Sequence, residues 1–248
     1  MKTHFLHLFL ALVSFIGYGQ YSGQALSNAS AGGSSFGSAA IINSLLGDIN
    51  STAEKRNKQY SEFQGSPYVS DKFQPTTLFY NDENSGKIFY RYNALNEEIE
   101  IKNSGLEEEE AKSLFRDKKI NILNNGKKMS FKTFVTAKKN TLNGYLTQLN
   151  GDEKYDLYKR IRVKFSEGKA APNSFVKAVP SRFSQYTEYY FQKEGVDRID
   201  EIPLSNNKLL KLLDGNEKIA LKDYLKKEKL NIKTEADLLN VFSFLNQL

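Results

Sequence analysis

The sequence predicts an α+β fold: an antiparallel β meander, open or partly closed into a barrel-like sheet, between an N-terminal helix and a C-terminal cluster of short helices. Stretches of alternating apolar and polar residues recur between residues 64 and 203 and are separated by turn residues. All five prolines lie between Pro67 and Pro203. Apolar residues at helical spacing occur instead in residues 39–63 and 204–248, which places helices on both sides of the strands.

Residues 1–19 are predicted to be a cleaved export signal. Lys2 provides a short positive segment, residues 5–16 are apolar, and small residues precede a cleavage point between Gly19 and Gln20. The apolar run is too short to span about 30 Å of hydrocarbon. We therefore expect an exported protein, periplasmic or secreted, with no transmembrane segment in the mature chain.

Composition restricts the possible chemistry. Both histidines, His4 and His7, belong to the predicted signal, so the mature chain has no histidine, cysteine or tryptophan. This excludes Ser-His-Asp and Cys-His catalysis and any metal or haem site built on His or Cys. Phosphate-loop, dinucleotide-binding and nucleophile-elbow motifs are also missing. We expect no enzyme, and we assign no catalytic, metal or cofactor-binding residue.

The formal net charge of +6 at pH 7 is mildly basic. For an exported protein this charge suits an anionic surface glycan or an envelope protein better than nucleic acid, and a charge that serves no partner at all is the favoured interpretation. It does not specify an oligomeric state.

Two segments precede the predicted strands. Residues 20–38 are rich in Gly, Ser and Ala and indicate a flexible segment. From Ala39 to Tyr60 apolar residues recur near helical spacing, so an N-terminal helix is predicted within residues 39–63. Its apolar stripe could cap a sheet edge or bind a partner, and capping is the favoured interpretation.

The β domain covers residues 64–203 and is predicted to contain nine strands. They cover residues 76–80, 87–92, 98–102, 120–123, 129–135, 141–149, 154–165, 185–192 and 196–202. The Asn125-Gly126 pair is the strongest hairpin signal. Residues 106–115 predict one short helix, and residues 166–182, which contain two prolines, predict an extended linker.

The C-terminal residues 204–248 are predicted to form three short helices packed on the sheet. Ser205 and Asn216 are candidate caps of the first two helices. Thr234 and Asp237 resemble a capping box at the start of the third helix.

One strand carries the most site-like pattern in the chain. Arg160, Arg162 and Lys164 alternate with apolar residues, so they share one strand face at intervals of about 6–7 Å. Such a row could bind phosphate or uronic-acid groups. A solvated outer face, opposed by glutamates of a neighbouring strand, is the favoured interpretation.

Several short segments carry a family resemblance. They are Gly65-Ser66-Pro67-Tyr68, Phe89-Tyr90-Arg91-Tyr92-Asn93, Glu98-Ile99-Glu100, Leu157-Tyr158-Lys159-Arg160, Val163-Lys164-Phe165 and Tyr189-Tyr190, followed by Lys/Leu-rich helices up to Leu245-Asn246. With these segments the chain resembles a family of uncharacterised exported proteins of Bacteroidota over residues 65–248. Family members often have Val-Pro-Leu where this chain has Ile88-Phe89-Tyr90. The resemblance implies export and a strand-rich body with C-terminal helices, and it brings no activity or ligand.

Three functions remain open from the sequence. The leading hypothesis is a non-enzymatic cell-envelope module, binding or structural, with a protein or surface-glycan partner. The alternative is a periplasmic carrier that holds an apolar or anionic small molecule in a curved sheet. A carboxylate-based glycan hydrolase is the third, because two acids can meet in a fold without leaving a local motif.

Overall fold

The computed structural model describes residues 35–47, 63–151 and 153–248. The predicted export signal, its cleavage point at Gly19 and Gln20, and residues 48–62 of the predicted N-terminal helix lie outside the described residues. Within the described ranges no helix combines the length and the apolar character needed to cross a membrane.

The described chain has the predicted α+β fold and is mostly antiparallel β-sheet. The helices are α1 (Ser35–Ser44), α2 (Asn206–Leu210), α3 (Gly215–Lys227) and α4 (Glu235–Asn246). The strands are β1 (Leu46–Gly47), β2 (Gln74–Tyr80), β3 (Glu83–Asn93), β4 (Glu98–Lys102), β5 (Lys112–Leu114), β6 (Ile120–Asn124), β7 (Lys127–Val135), β8 (Thr141–Gln148), β9 (Tyr155–Ser166), β10 (Arg182–Lys193) and β11 (Ile199–Ile202).

The strands form one sheet that closes on itself at one end. Their order is β1-β5-β4-β3-β2-β6-β7-β11-β10-β9-β8, and β8 also pairs with β7. Strands β7–β11 therefore form a closed five-stranded barrel, and β1–β6 continue from β7 as an outer sheet. Closure depends on one parallel pairing, between β11 and β7, whereas the other pairings within the barrel are antiparallel.

Three hydrophobic cores hold these layers together. The barrel interior takes one residue from each of its five strands: Phe134, Leu146, Tyr158, Tyr190 and Ile199. A second core joins the outer sheet and α1 to the barrel and includes Ile42, Ile88, Ile101, Met129, Tyr145 and Val163. A third core packs the C-terminal helices on the barrel and includes Leu157, Phe191, Leu221, Leu238 and Phe242.

Two tight turns set the register of the hairpins. Asn125 and Gly126 both have positive φ, at 50° and 77°, and join β6 to β7 as predicted. Asn81 and Asp82 likewise have φ of 51° and 63°, so β2 and β3 meet in a two-residue turn. The sequence predicted a longer loop there. Because Asn and Asp tolerate positive φ, the turn needs only these two residues and β3 begins at Glu83.

The predicted helix at residues 106–115 is wrong, since Lys112–Leu114 is strand β5. The Glu109 carboxylate accepts hydrogen bonds from the backbone N–H groups of Asn103 and Ser104, both at 2.7 Å. A side chain that bonds nearby backbone in this way stabilises a loop in place of a helix.

The described part of the N-terminal helix also differs from prediction. Helix α1 begins at Ser35 and ends at Ser44, whose hydroxyl donates to the carbonyl of Ile41 at 2.7 Å. Leu46 and Gly47 then pair with β5 as strand β1. The pairing partner lies about 67 residues away in sequence, so helical spacing alone could not reveal it.

The C-terminal helices agree with prediction. Thr234 and Asp237 form a complete capping box at the start of α4. Ser205 is the N-cap of α2, without a side-chain cap hydrogen bond. Helix α3 begins two residues earlier than predicted, with Asp214 rather than Asn216 as its N-cap.

Candidate functional site

The predicted basic row on β9 does not form one open face. Arg160 is 7% exposed and is paired with two carboxylates, those of Glu97 and of Glu188 at 2.9 Å. Arg162 donates from Nε to the same Glu188 at 2.5 Å. Lys164 is exposed. A glutamate of the neighbouring strand β10 thus faces the row. Anion binding by Arg160, Arg162 and Lys164 stays a prediction.

Glu97 reaches Arg160 because β8 and β9 separate. The two strands pair only at Thr147 with Lys159 and at Gln148 with Tyr158. Beyond that point the turn between β3 and β4 lies beside β9, and the Val163 N–H donates to the Ala94 carbonyl at 2.9 Å.

Gly144 leaves room for the Glu97 side chain on the β8 side of this gap. A Cβ atom at Gly144 would overlap the Glu97 carboxylate. The guanidinium of Arg160 lies over the Phe134 ring, 4.8 Å from its centroid, inside the barrel. We call Glu97, Gly144, Arg160 and Glu188 the barrel seam.

Electrostatics in the barrel seam favour the ionised groups. Burial alone would lower the pKa of the Arg160 guanidinium, but the adjacent Glu97 carboxylate raises that pKa above its ordinary value. Burial acts to raise the pKa of Glu188, and hydrogen bonds from Arg162 and Tyr190 outweigh it, so the pKa is lowered. With Arg162, the seam therefore balances two carboxylates with two guanidinium groups and joins the outer sheet to the barrel.

A separate cleft of about 230 Å³ lies between the outer sheet and the barrel. Besides Val69, its apolar lining consists of side chains from β3, β7, β8 and β9: Tyr90, Tyr92, Met129, Tyr145 and Ile161. Its polar lining includes three cations, Lys72, Arg91 and Lys159, and three amides, Gln74, Asn124 and Asn125. Among the described residues that line it there is no Asp or Glu.

The aromatic part of the cleft is held rigidly. The rings of Tyr92 and Tyr145 meet edge to face with centroids 5.8 Å apart, and both side chains are buried. The Tyr90 hydroxyl donates to the Asn124 side-chain oxygen at 3.0 Å, which orients that amide beside the cleft. Burial raises the pKa of the Tyr92, Tyr145 and Tyr90 hydroxyls, so the three rings stay neutral.

Two of the three cations are fixed by other side chains. Arg91 binds the buried Glu100 carboxylate at 2.6 Å and stacks on the rings of Tyr68 and Phe73, 4.0 and 4.7 Å from their centroids. This clamp holds the guanidinium plane in place.

The other two cations differ in their surroundings. Lys159 pairs with Glu235 of α4 at 3.0 Å. Lys72 is exposed and forms no ion pair within the described part of the chain. Counting only the described residues, Lys72 is thus the cation of the cleft that no carboxylate pairs.

Sequence reasoning did not find the cleft. The lining is assembled from six strands, β2, β3, β6, β7, β8 and β9, and from two connecting segments. No local motif records such an assembly. Alternation identifies which side chains share a face, and it does not identify which faces meet.

Comparison with known protein-family models, curated proteins and solved structures finds no match for this chain. The resemblance to exported proteins of Bacteroidota therefore remains a prediction.

Proposed function

We propose that the chain is an exported, non-enzymatic binding protein that carries a small molecule in the cleft between the outer sheet and the barrel. The observation that carries the proposal is the combination of a rigid tyrosine-rich wall with cationic side chains and no carboxylate in the described lining. Ligand sites typically pair apolar walls with a few placed polar groups.

The lining also indicates the class of ligand. Tyr92, Tyr145 and Ile161 favour an apolar or aromatic body, and Lys72 favours an anionic group at the rim. The volume of about 230 Å³ is smaller than the range of roughly 300–1,000 Å³ that drug-sized ligands occupy. We therefore expect a small organic acid rather than a polymer segment.

A protein partner in the cell envelope is the second candidate. It is favoured by the loop between β9 and β10, where the Phe175 side chain is 96% exposed beside Val176 and Val179, which are 49% and 54% exposed. Exposed apolar side chains that lie close together often mark interaction surfaces.

Native mass spectrometry of the protein purified from its own host tests the first candidate. We expect a bound mass of a small acid, released on denaturation and then identified. Gln74→Trp, which narrows the rim, should abolish the bound mass, and Lys72→Glu should weaken rebinding on the order of tenfold, equivalent to about 1.4 kcal/mol.

Matched controls keep this test specific. Gln185→Trp and Lys87→Glu introduce the same side chains at exposed strand positions outside the cleft and should leave the bound mass unchanged. A clean unliganded mass in repeated preparations would overturn the carrier proposal. If a protein co-purifies with the wild type and does not co-purify with the Phe175→Ser variant, the second candidate is established instead.

A further inference from the structure

Helix α3 presents a row of lysines on its outer face. Lys218, Lys222 and Lys226 follow at intervals of four residues, so they lie within an arc of about 80° and extend over about 12 Å. All three are exposed, whereas Leu221 and Leu225, centred about 80° around the helix from the middle of this row, are buried. We call these three lysines the lysine ridge.

The lysine ridge keeps a net positive charge. None of its members forms an ion pair among the residues that the structure describes. The exposed Asp223 of α3, which follows Lys222, forms no ion pair among those residues either. The glutamate of α3, Glu217, faces the barrel and is occupied by Tyr155 at 2.5 Å, Lys154 at 2.9 Å and Lys193 at 3.1 Å. The three lysines less Asp223 therefore leave this strip of α3 with a formal charge of +2.

Helix stability does not account for this row. Like charges four residues apart destabilise a helix, and the ridge contains two such pairs. Lys218 also lies in the first turn of α3, where the helix dipole disfavours a cation.

The chemistry of the ridge indicates its partner. Lysine ammonium groups act as separate point charges that suit a layer of phosphates, and they do not impose the planar two-point recognition that arginine does. Ile219 borders the ridge and is 61% exposed. An anionic lipid surface offers phosphate charges to the lysines and an apolar boundary to Ile219.

We infer that the lysine ridge docks the protein onto an anionic lipid surface. This surface differs from the cleft in its residues and in its ligand, so it does not depend on the proposed carrier function. Docking would hold a carrier at the membrane while its cleft remains free.

Vesicle co-sedimentation of the full mature chain tests the inference. Vesicles of phosphatidylcholine with phosphatidylglycerol should bind the protein at low salt, and pure phosphatidylcholine should not. Replacing all three ridge lysines by glutamine should weaken binding by roughly fivefold per lysine, or about a hundredfold together. Raising the salt to about 0.5 M should release the wild-type protein, because the attraction is screened.

A charge-matched control separates the ridge from general basicity. Lys87→Gln, Lys118→Gln and Lys138→Gln together remove the same charge from exposed positions elsewhere and should weaken binding only slightly. The ridge variant should melt at the same temperature as the wild type or higher, since it loses the like-charge pairs.

Ile219→Ser distinguishes lipid from other polyanions. It should weaken vesicle binding several-fold and leave retention on a heparin column unchanged. Equal vesicle binding by the ridge and control variants would overturn the inference. So would strong heparin retention combined with no vesicle binding at low salt, which would identify a soluble polyanion as the partner.

Discussion

The barrel seam and helix α3 place positive charge in opposite ways. In the seam Arg160 is 7% exposed and is balanced by the carboxylates of Glu97 and Glu188. On α3 the lysine ridge is exposed and is not paired within the described chain. A buried cation must be paired because desolvation is costly, whereas water solvates an exposed one. The comparison shows that unpaired cations can persist only where solvent or a partner reaches them.

The largest expected effect comes from breaking the pairing in the seam. Arg160→Met leaves the Glu97 and Glu188 carboxylates without their shared partner in a nearly buried place. We expect the free energy of unfolding to fall by about 3–5 kcal/mol, as measured by urea denaturation.

Arg162→Met is the matched control for that substitution. The Arg162 side chain also binds Glu188, but it is 40% exposed, and Glu188 would keep Arg160. We expect a loss of no more than about 1 kcal/mol. Equal losses for the two variants would show that burial does not distinguish these ion pairs.

A substitution at Gly144 tests the packing of the seam. A methyl group at this position would overlap the Glu97 carboxylate and displace it from Arg160. Gly144→Ala should therefore reduce the free energy of unfolding by about 1–3 kcal/mol. Gly151→Ala provides the control, since a Cβ atom there would meet nothing within 4 Å.

A double-mutant cycle identifies the cause of the Gly144 effect. In a chain that already carries Glu97→Ala, Gly144→Ala should cost much less, because the overlapping carboxylate is gone. Additive losses would place the strain elsewhere in β8 and would contradict this account of the seam.

The sequence predicted the features that depend on local patterns. Alternation located most strands, and Asn125-Gly126 and Thr234 with Asp237 located a turn and a helix start. These signals act over a few residues, so one chain segment contains all the necessary information.

Features that join distant segments were not predictable in the same way. Glu97 and Arg160 are 63 residues apart in sequence, and no spacing rule connects them. Alternation placed Arg160 on the same strand face as Lys164. In the fold, however, Arg160 is buried beside the gap between β8 and β9, whereas Lys164 is exposed. The cleft was missed for the same reason, since closure of the barrel determines which strand faces meet.

Glu217 offers an intermediate case between the seam and the lysine ridge. Its side chain is 20% exposed and binds Tyr155, Lys154 and Lys193. The Tyr155 hydroxyl, with help from both lysines, lowers the pKa of Glu217 from 4.5 to about 2.

A lowered folded-state pKa means that Glu217 stabilises the fold above pH 4.5 and loses this contribution as the pH falls towards 2. Glu217→Gln should therefore cost about 1 kcal/mol at neutral pH, a modest value because solvent screens the pair. The difference between the wild type and this variant should shrink steadily from about pH 5 to about pH 2 in denaturation experiments. Glu228→Gln, at an exposed glutamate just after α3, should change stability by less than about 0.5 kcal/mol at neutral pH. A pH-independent difference for Glu217→Gln would mean that shape and hydrogen bonding, rather than charge, hold α3 on the barrel.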